Sequence, residues 1–210
     1  DPLLLTPGPL TTSASVKQAM VHDWGSRDAG FLAISKLVLD KIVELAGAQG
    51  THVTVPVQGS GTFAVEAMIT SFVPRTGKLL VLSNGAYGQR AKKIAEIADR
   101  AVTTYETPED TPPDLAKLEK LLIDDQAISH VFAVHCETTS GVLNPVDAVS
   151  DVVAKRGRKL LVDAMSAFGA IGLAAATKYD ALAASSNKCI EGVPGLGFVV
   201  CDKAAIVAAK

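Results

Sequence analysis

The sequence carries no excess charge of either sign. Twenty Lys and Arg stand against 22 Asp and Glu, a net charge of -2, which supplies no positive field for nucleic acid or an anionic lipid surface. No apolar run approaches the roughly 18 residues that span a bilayer. The opening stretch DPLLLTPGPL lacks the basic n-region and long h-region of a secretory leader. The chain opens on Asp1 and not on Met, so trimming at the front is expected. Cysteine is scarce and odd in number: Cys136, Cys189 and Cys201 lack CxxC spacing, which fits reduced thiols better than a disulfide framework or a zinc site. His22, His52, His130 and His135 have no metal-ligand spacing either. His135 reads as a buried, hydrogen-bonded strand residue and Cys189 as a small apolar neighbour. Internal repeats, low-complexity tracts and long linkers are also missing. A soluble, cytoplasmic, globular protein is the expectation.

What the chain does contain is alternation. Runs rich in β-branched and apolar residues recur at 52–58 (HVTVPVQ), 78–84 (KLLVLSN), 101–107 (AVTTYET), 130–136 (HVFAVHC), 159–165 (KLLVDAM), 181–186 (ALAASS) and 197–202 (GFVVCD). Between most of them lie segments with helical spacing, such as TFAVEAMITSFV and PPDLAKLEKLLID. Strands apolar on both faces and separated by helices imply an α/β fold: a mainly parallel, seven-stranded sheet covered on both sides. The last run follows its predecessor too closely for a helical crossover, so it is expected to run antiparallel. Residues 1–50 read as an extended arm and a helix, roughly GFLAISKLVLDKIVELAG, and 51–210 as the body of the domain.

In such sheets ligands gather at the carboxyl ends of the strands. After the first run comes GSGT, where Gly59 and Gly61 allow close approach of an anion, Ser60 and Thr62 add hydroxyls, and a helix start presents free N–H groups. The same glycines, with Ala64, match the dinucleotide pattern GxGxxA, so an NAD-dependent dehydrogenase is a competing reading. That reading lacks the acidic residue expected about 20 positions later. A plain strand-to-helix turn is the bland alternative. Asp163 follows four apolar residues in KLLVD; burial there demands a cationic or hydrogen-bonding partner. A strand-end cap would suffice, and so would the protonated ring nitrogen of pyridoxal 5'-phosphate (PLP). Lys188 closes ALAASSNK. If its strand lies beside that of Asp163, about 4.8 Å or a small multiple away, a partly desolvated amine could form a Schiff base on the same ring. In HDWGSRD, Trp24 and Arg27 suit anion recognition, or are a core Trp and a surface Arg.

The segments SGT, SNGAYGQR, HCETTSGVLNPVD, LLVDAMSAFGA and SSNKCIEGVPGLGFV together resemble the successive active-site segments of fold-type I, class V PLP-dependent aminotransferases. The resemblance covers residues 3–202. It implies that Lys188 carries the cofactor covalently and serves as acid and base, and that Asp163 pairs with the pyridinium nitrogen. It further implies that Ser60, Gly61 and Thr62 hold the phosphate, that Tyr87 stacks on the ring, and that Thr138 lies near its phenolic oxygen. Thr6–Pro9, with Gly8, resembles a segment over the substrate side. LLLTPGPLTTSASVKQAM and HDWGSRD are similar to the branch that moves an amino group from 2-aminoethylphosphonate to pyruvate, with Trp24 and Arg27 then reading the phosphonate. Alanine–glyoxylate or serine–pyruvate exchange is the alternative within the family. A homodimer is implied, as is a smaller C-terminal domain, beyond this chain, that supplies the carboxylate-binding arginine.

Overall fold

The computed structural model describes residues 2–209. Among them, β1 (His52–Gln58), β2 (Lys78–Ser83), β3 (Ala101–Glu106), β4 (Ile128–Val134), β5 (Lys159–Asp163), β6 (Ala181–Ser185) and β7 (Leu196–Asp202) form one sheet in the order β1-β7-β6-β5-β4-β2-β3. β7 runs antiparallel to both its neighbours, β1 and β6; every other pairing is parallel. The mainly parallel seven-stranded sheet and the reversed last strand are as the sequence implies. Six strands therefore end on one edge of the sheet, and the loop into β7 returns to that same edge.

The helices are α1 (Ala14–Ala19), α2 (Ala29–Leu45), α3 (Gly61–Phe72), α4 (Ala86–Ile97), α5 (Leu115–Asp124), α6 (Val146–Lys155) and α7 (Lys203–Ala208). One face of the sheet buries Val65, Met68, Ile69, Ala91 and Ala95 from α3 and α4 against Leu79, Phe132 and Leu161. The other buries Ile42, Leu118, Leu122, Val149 and Val153 from α2, α5 and α6 against Leu80, Val131 and Leu160. The central strands are buried on both faces for this reason, β6 at every position. Pro56 sits in β1 without cost because β1 is an edge strand, where a missing ladder donor faces no neighbour.

Several boundaries differ from the sequence reading, three of them for a visible reason. The arm is not extended throughout: Ser13 caps α1, its hydroxyl accepting from the Val16 N–H at 3.2 Å. β4 starts and ends two residues early, because its first residue pairs with Lys78 at the start of β2. His135, Cys136 and Glu137 thereby fall in the loop beyond the strand. β5 ends at Asp163, since Ala164 begins a turn in which its carbonyl accepts from Ala167 and Phe168.

Phe132 is wholly buried in β4. Phe132→Ala is expected to cost about 3–5 kcal/mol, read as a lower urea midpoint with an unchanged denaturant slope.

Candidate active site

The carboxyl edge of β1, β6 and β5 frames a cavity of about 400 Å³. β1 ends at Gln58, and Gly59 turns the chain with φ +131, a conformation closed to residues with a side chain. Its N–H donates to the carbonyl of Gly195 at 2.9 Å, and Gly195 itself has φ +118. This bond joins the GSGT turn to the glycine-rich loop behind Lys188. Ser60 then occupies the N-cap of α3 without using its hydroxyl as a cap. The hydroxyl and the unpaired first-turn N–H groups of the helix are left for an anion, with the positive end of the helix dipole behind them. A Cβ at Gly61 would lie 2.3 Å from the sulfur of Met165, so a side chain there would have to displace the Met165 thioether. Ser60, Gly61 and Thr62 all line the cavity.

Asp163, the last residue of β5, is 3% exposed. Its Oδ1 accepts from the Met165 N–H at 2.9 Å, the only hydrogen bond to its side chain among the described residues. Burial drives its pKa up to about 6; the Met165 bond pulls the other way, the negative charge of Glu137 adds to the rise, and Arg90 and Lys188 oppose it. β6 pairs directly with β5, Ala183 lying opposite Asp163, so the adjacency on which the Schiff-base reading depends is present. Lys188 lies three residues past the end of β6, in a folded turn, and not on the strand itself. Half-buried, it donates from Nζ to the carbonyl of Pro7 at 3.2 Å, while the Leu10 N–H donates to the carbonyl of Asn187 at 3.3 Å. The N-terminal arm is thus tied down over the lysine turn.

Tyr87, in the first turn of α4, forms another wall of the same cavity. Thr138 does not line it. Together with Gly8, Cys136, Ser166 and Cys189 it lines a second cavity of about 270 Å³, and Lys188 belongs to both. The Thr138 and Ser166 hydroxyls are hydrogen-bonded to each other. Trp24 and Arg27 line neither cavity. They are exposed in the loop between α1 and α2, where Trp24 packs on His22 and against Gly30, so within its own chain this loop is not at the site. His135 is buried, as expected, and burial lowers its pKa. Its backbone is hydrogen-bonded to Asp163 and Asn144, its ring to nothing described.

Sequence reasoning missed three contributors. Asn187 lines the cavity beside Lys188, and Arg90 sets its guanidinium 4.9 Å from the Tyr87 ring centre at the cavity wall. Both stood in quoted motifs, and the helical spacing of Tyr87 and Arg90 was the available signal. The third is Glu137, fully buried; like Asp163 it is an acid directly after an apolar run. The dinucleotide reading of Gly59, Gly61 and Ala64 fails on topology. Its fingerprint opens a central parallel unit, whereas β1 lies at the sheet edge and pairs antiparallel with β7.

The family model for Aminotransferase class-V matches residues 14–210. A 2-aminoethylphosphonate–pyruvate transaminase of Pseudomonas aeruginosa is 53% identical over 208 residues, covering 99% of this chain and 56% of its own. One from Cupriavidus pinatubonensis is 54% identical over 204 residues, covering 97% and 54%. The chain spans about half the length of the curated relatives it matches. Among solved structures, an alanine–glyoxylate aminotransferase from Nostoc sp. superposes with a TM-score of 0.91 at 28% identity, covering 98% of this chain and 54% of that one. A pyridoxamine–pyruvate aminotransferase from Mesorhizobium loti gives 0.89 at 26%, covering 97% and 52%.

The raised pKa of Asp163 carries a stability cost with a defined pH window. Unfolded, the carboxyl titrates near 3.8; folded, near 6. Between the two the folded chain holds the additional proton, so stability falls as pH rises through that window and stays lowered above it. Asp163→Asn is expected to stabilise the cofactor-free chain at neutral pH by on the order of 3 kcal/mol. Thermal melts should give a higher Tm than wild type at pH 7 and no difference below about pH 4.

Proposed function

Because the chain belongs to the aminotransferase class-V family, we propose that its larger cavity binds PLP and that the protein moves the amino group of 2-aminoethylphosphonate to pyruvate, yielding phosphonoacetaldehyde and alanine. One observation carries the cofactor reading: an anion cup, a buried carboxyl and an amine converge on one cavity. These are the three partners that a phosphate ester with a protonated ring nitrogen and an aldehyde requires. Ser60, Gly61 and Thr62 would hold the phosphate at the start of α3. Asp163 would take the ring nitrogen, which relieves its buried charge. Tyr87 would lie on the ring, and Thr138 would reach toward its phenolic oxygen from the adjoining cavity. When bound, the cofactor supplies an electron sink that lowers the cost of breaking a C–H bond beside the amine. Lys188 would hold it covalently through Nζ, and its amine would be the acid and base that moves a proton from the substrate carbon to the cofactor.

The choice of donor rests on likeness to the Pseudomonas and Cupriavidus enzymes, which extends through the N-terminal segments that cover Lys188. A homodimer is proposed as well. Leu32, Ile34, Leu37, Val38 and Leu45 of α2 are all exposed, an apolar surface that a second copy would cover. Across that pairing Gly8, Trp24 and Arg27 would read the phosphonate, the loop of Trp24 and Arg27 serving the cavity of the other copy. The cysteines are all unpaired and no helix among the described residues is long and apolar enough to cross a membrane, which supports a cytoplasmic site of action.

Borohydride reduction in the presence of PLP, followed by peptide mapping, is expected to label the peptide containing Lys188 and to label nothing in Lys188→Ala. A label on another lysine would sink the assignment. For the donor, kcat/KM of the full protein with pyruvate as acceptor should favour 2-aminoethylphosphonate over alanine and serine by at least about a hundredfold, since a site built for the phosphonate leaves polar groups unpaired with either. Preference for alanine or serine would move the activity to the other branch.

A further inference from the structure

Helix α4 begins without a cap of its own. Gly85 occupies its N-cap and has no side chain to offer the first-turn N–H groups, although a helix start left unpaired is costly when partly buried. The partners come instead from the loop beyond β4, fifty residues further along the chain. Glu137 Oε1 accepts from the Tyr87 N–H at 3.4 Å, and Thr139 Oγ1 accepts from the Ala86 N–H at 3.1 Å. Thr139 is itself oriented by Glu137: its N–H donates to Oε1 at 3.1 Å and its hydroxyl at 2.7 Å. The carboxylate is fully buried, and Oε2 has no hydrogen-bond partner among the described residues.

Burial of a carboxylate with one oxygen unmatched is expensive unless another favourable term offsets it. The positive end of α4, on which Glu137 sits, supplies one. Glycine at position 85 is required for the same arrangement, since a Cβ there would lie 2.4 Å from the Glu137 carboxyl carbon. Two features of the sequence, an acid after β4 and a glycine after β2, thus make sense only together.

We propose that Glu137 is a positioning residue of the cavity: its carboxylate replaces the missing cap of α4 and so sets Tyr87 at a fixed place relative to Thr138 and the end of β5. The inference rests on the PLP reading for its consequence but not for its geometry. Glu137 touches no ligand position itself. Its negative charge also favours the protonated form of Asp163, so one residue acts on two walls of the site.

The test uses hydrogen exchange with mass spectrometry on the cofactor-free chain, then PLP titration of the same proteins. Glu137→Ala should speed exchange in peptides spanning 84–90 by about tenfold, the loss of a hydrogen bond to a charged group, while peptides from β5 and β6 keep wild-type rates. Gly85→Ala, with Glu137 intact but displaced, should reproduce that local change. Glu137→Gln, whose amide oxygen still accepts, should retain most of the protection. With PLP, Glu137→Ala should weaken binding by about tenfold and alter the induced circular dichroism of the bound chromophore, with Glu137→Gln lying between it and wild type. Wild-type exchange at 84–90 in both Glu137→Ala and Gly85→Ala would overturn the proposal, as would uniform acceleration along the whole chain in all three variants. PLP binding by the wild-type chain tests the cofactor reading separately, because the exchange result is obtained without cofactor.

Discussion

The structure is organised around a carboxyl group that the fold strands in its interior. Asp163 is held at the end of β5, between β4 and β6, its carboxyl having a single backbone N–H as hydrogen-bond partner among the described residues. An aspartate so enclosed either takes up a proton or waits for a cation. The cations nearby, Arg90 and Lys188, reduce its discomfort without relieving it, and its pKa still lies near 6. A fold selected for stability alone would place Leu or Asn here. On the proposed reading, the acid sets the site in advance for a positively charged partner, and the cofactor ring supplies that charge at the place where the electron sink needs it.

The glycines serve the opposite end of the same cavity. Gly59 and Gly195 both adopt positive φ, and a backbone bond joins them. The GSGT turn after β1 and the lysine turn after β6 come from distant parts of the chain, and this bond ties them together. β7 makes the linkage possible: its reversed direction brings the loop from Lys188 back between β6 and β1, at the register where Gln58 faces Leu196. The antiparallel strand is therefore what closes the cavity.

Much of this was legible from residue patterns. The β-branched runs located every strand, because a strand buried on both faces must be apolar at consecutive positions. The short interval before GFVVCD marked β7 as the reversed strand. Asp163 and Lys188 were legible because charged residues directly after buried strands need a reason to be there. Strand ends were less so: β4 and the loop after it are equally apolar through Val134 and His135, and only pairing with β2 decides where the ladder stops. Trp24 and Arg27 were grouped by nearness in sequence and chemical type, but their position is set by how α2 docks on β1, which local composition does not encode. Glu137 was hidden because its partner is the backbone of another helix, and a missing cap at Gly85 has no sequence signature that points to a residue fifty positions away.

Lys188 is where the parts meet. It borders both the cavity framed by the GSGT turn and the one containing Gly8 and Thr138. What holds it is the carbonyl of Pro7, a neutral acceptor. Such a bond contributes on the order of 1–3 kcal/mol net, enough to orient an amine, and giving it up strands no opposite charge. A buried carboxylate in that place would be far costlier to part from, because breaking the pair strands a charge. The backbone bond from Leu10 to Asn187 ties the arm to the same turn independently of the amine. On the proposed reading, a lysine held by a neutral acceptor, which leaves no stranded charge behind when it turns, suits a group that must form a covalent bond, release it and then carry a proton within the same cavity.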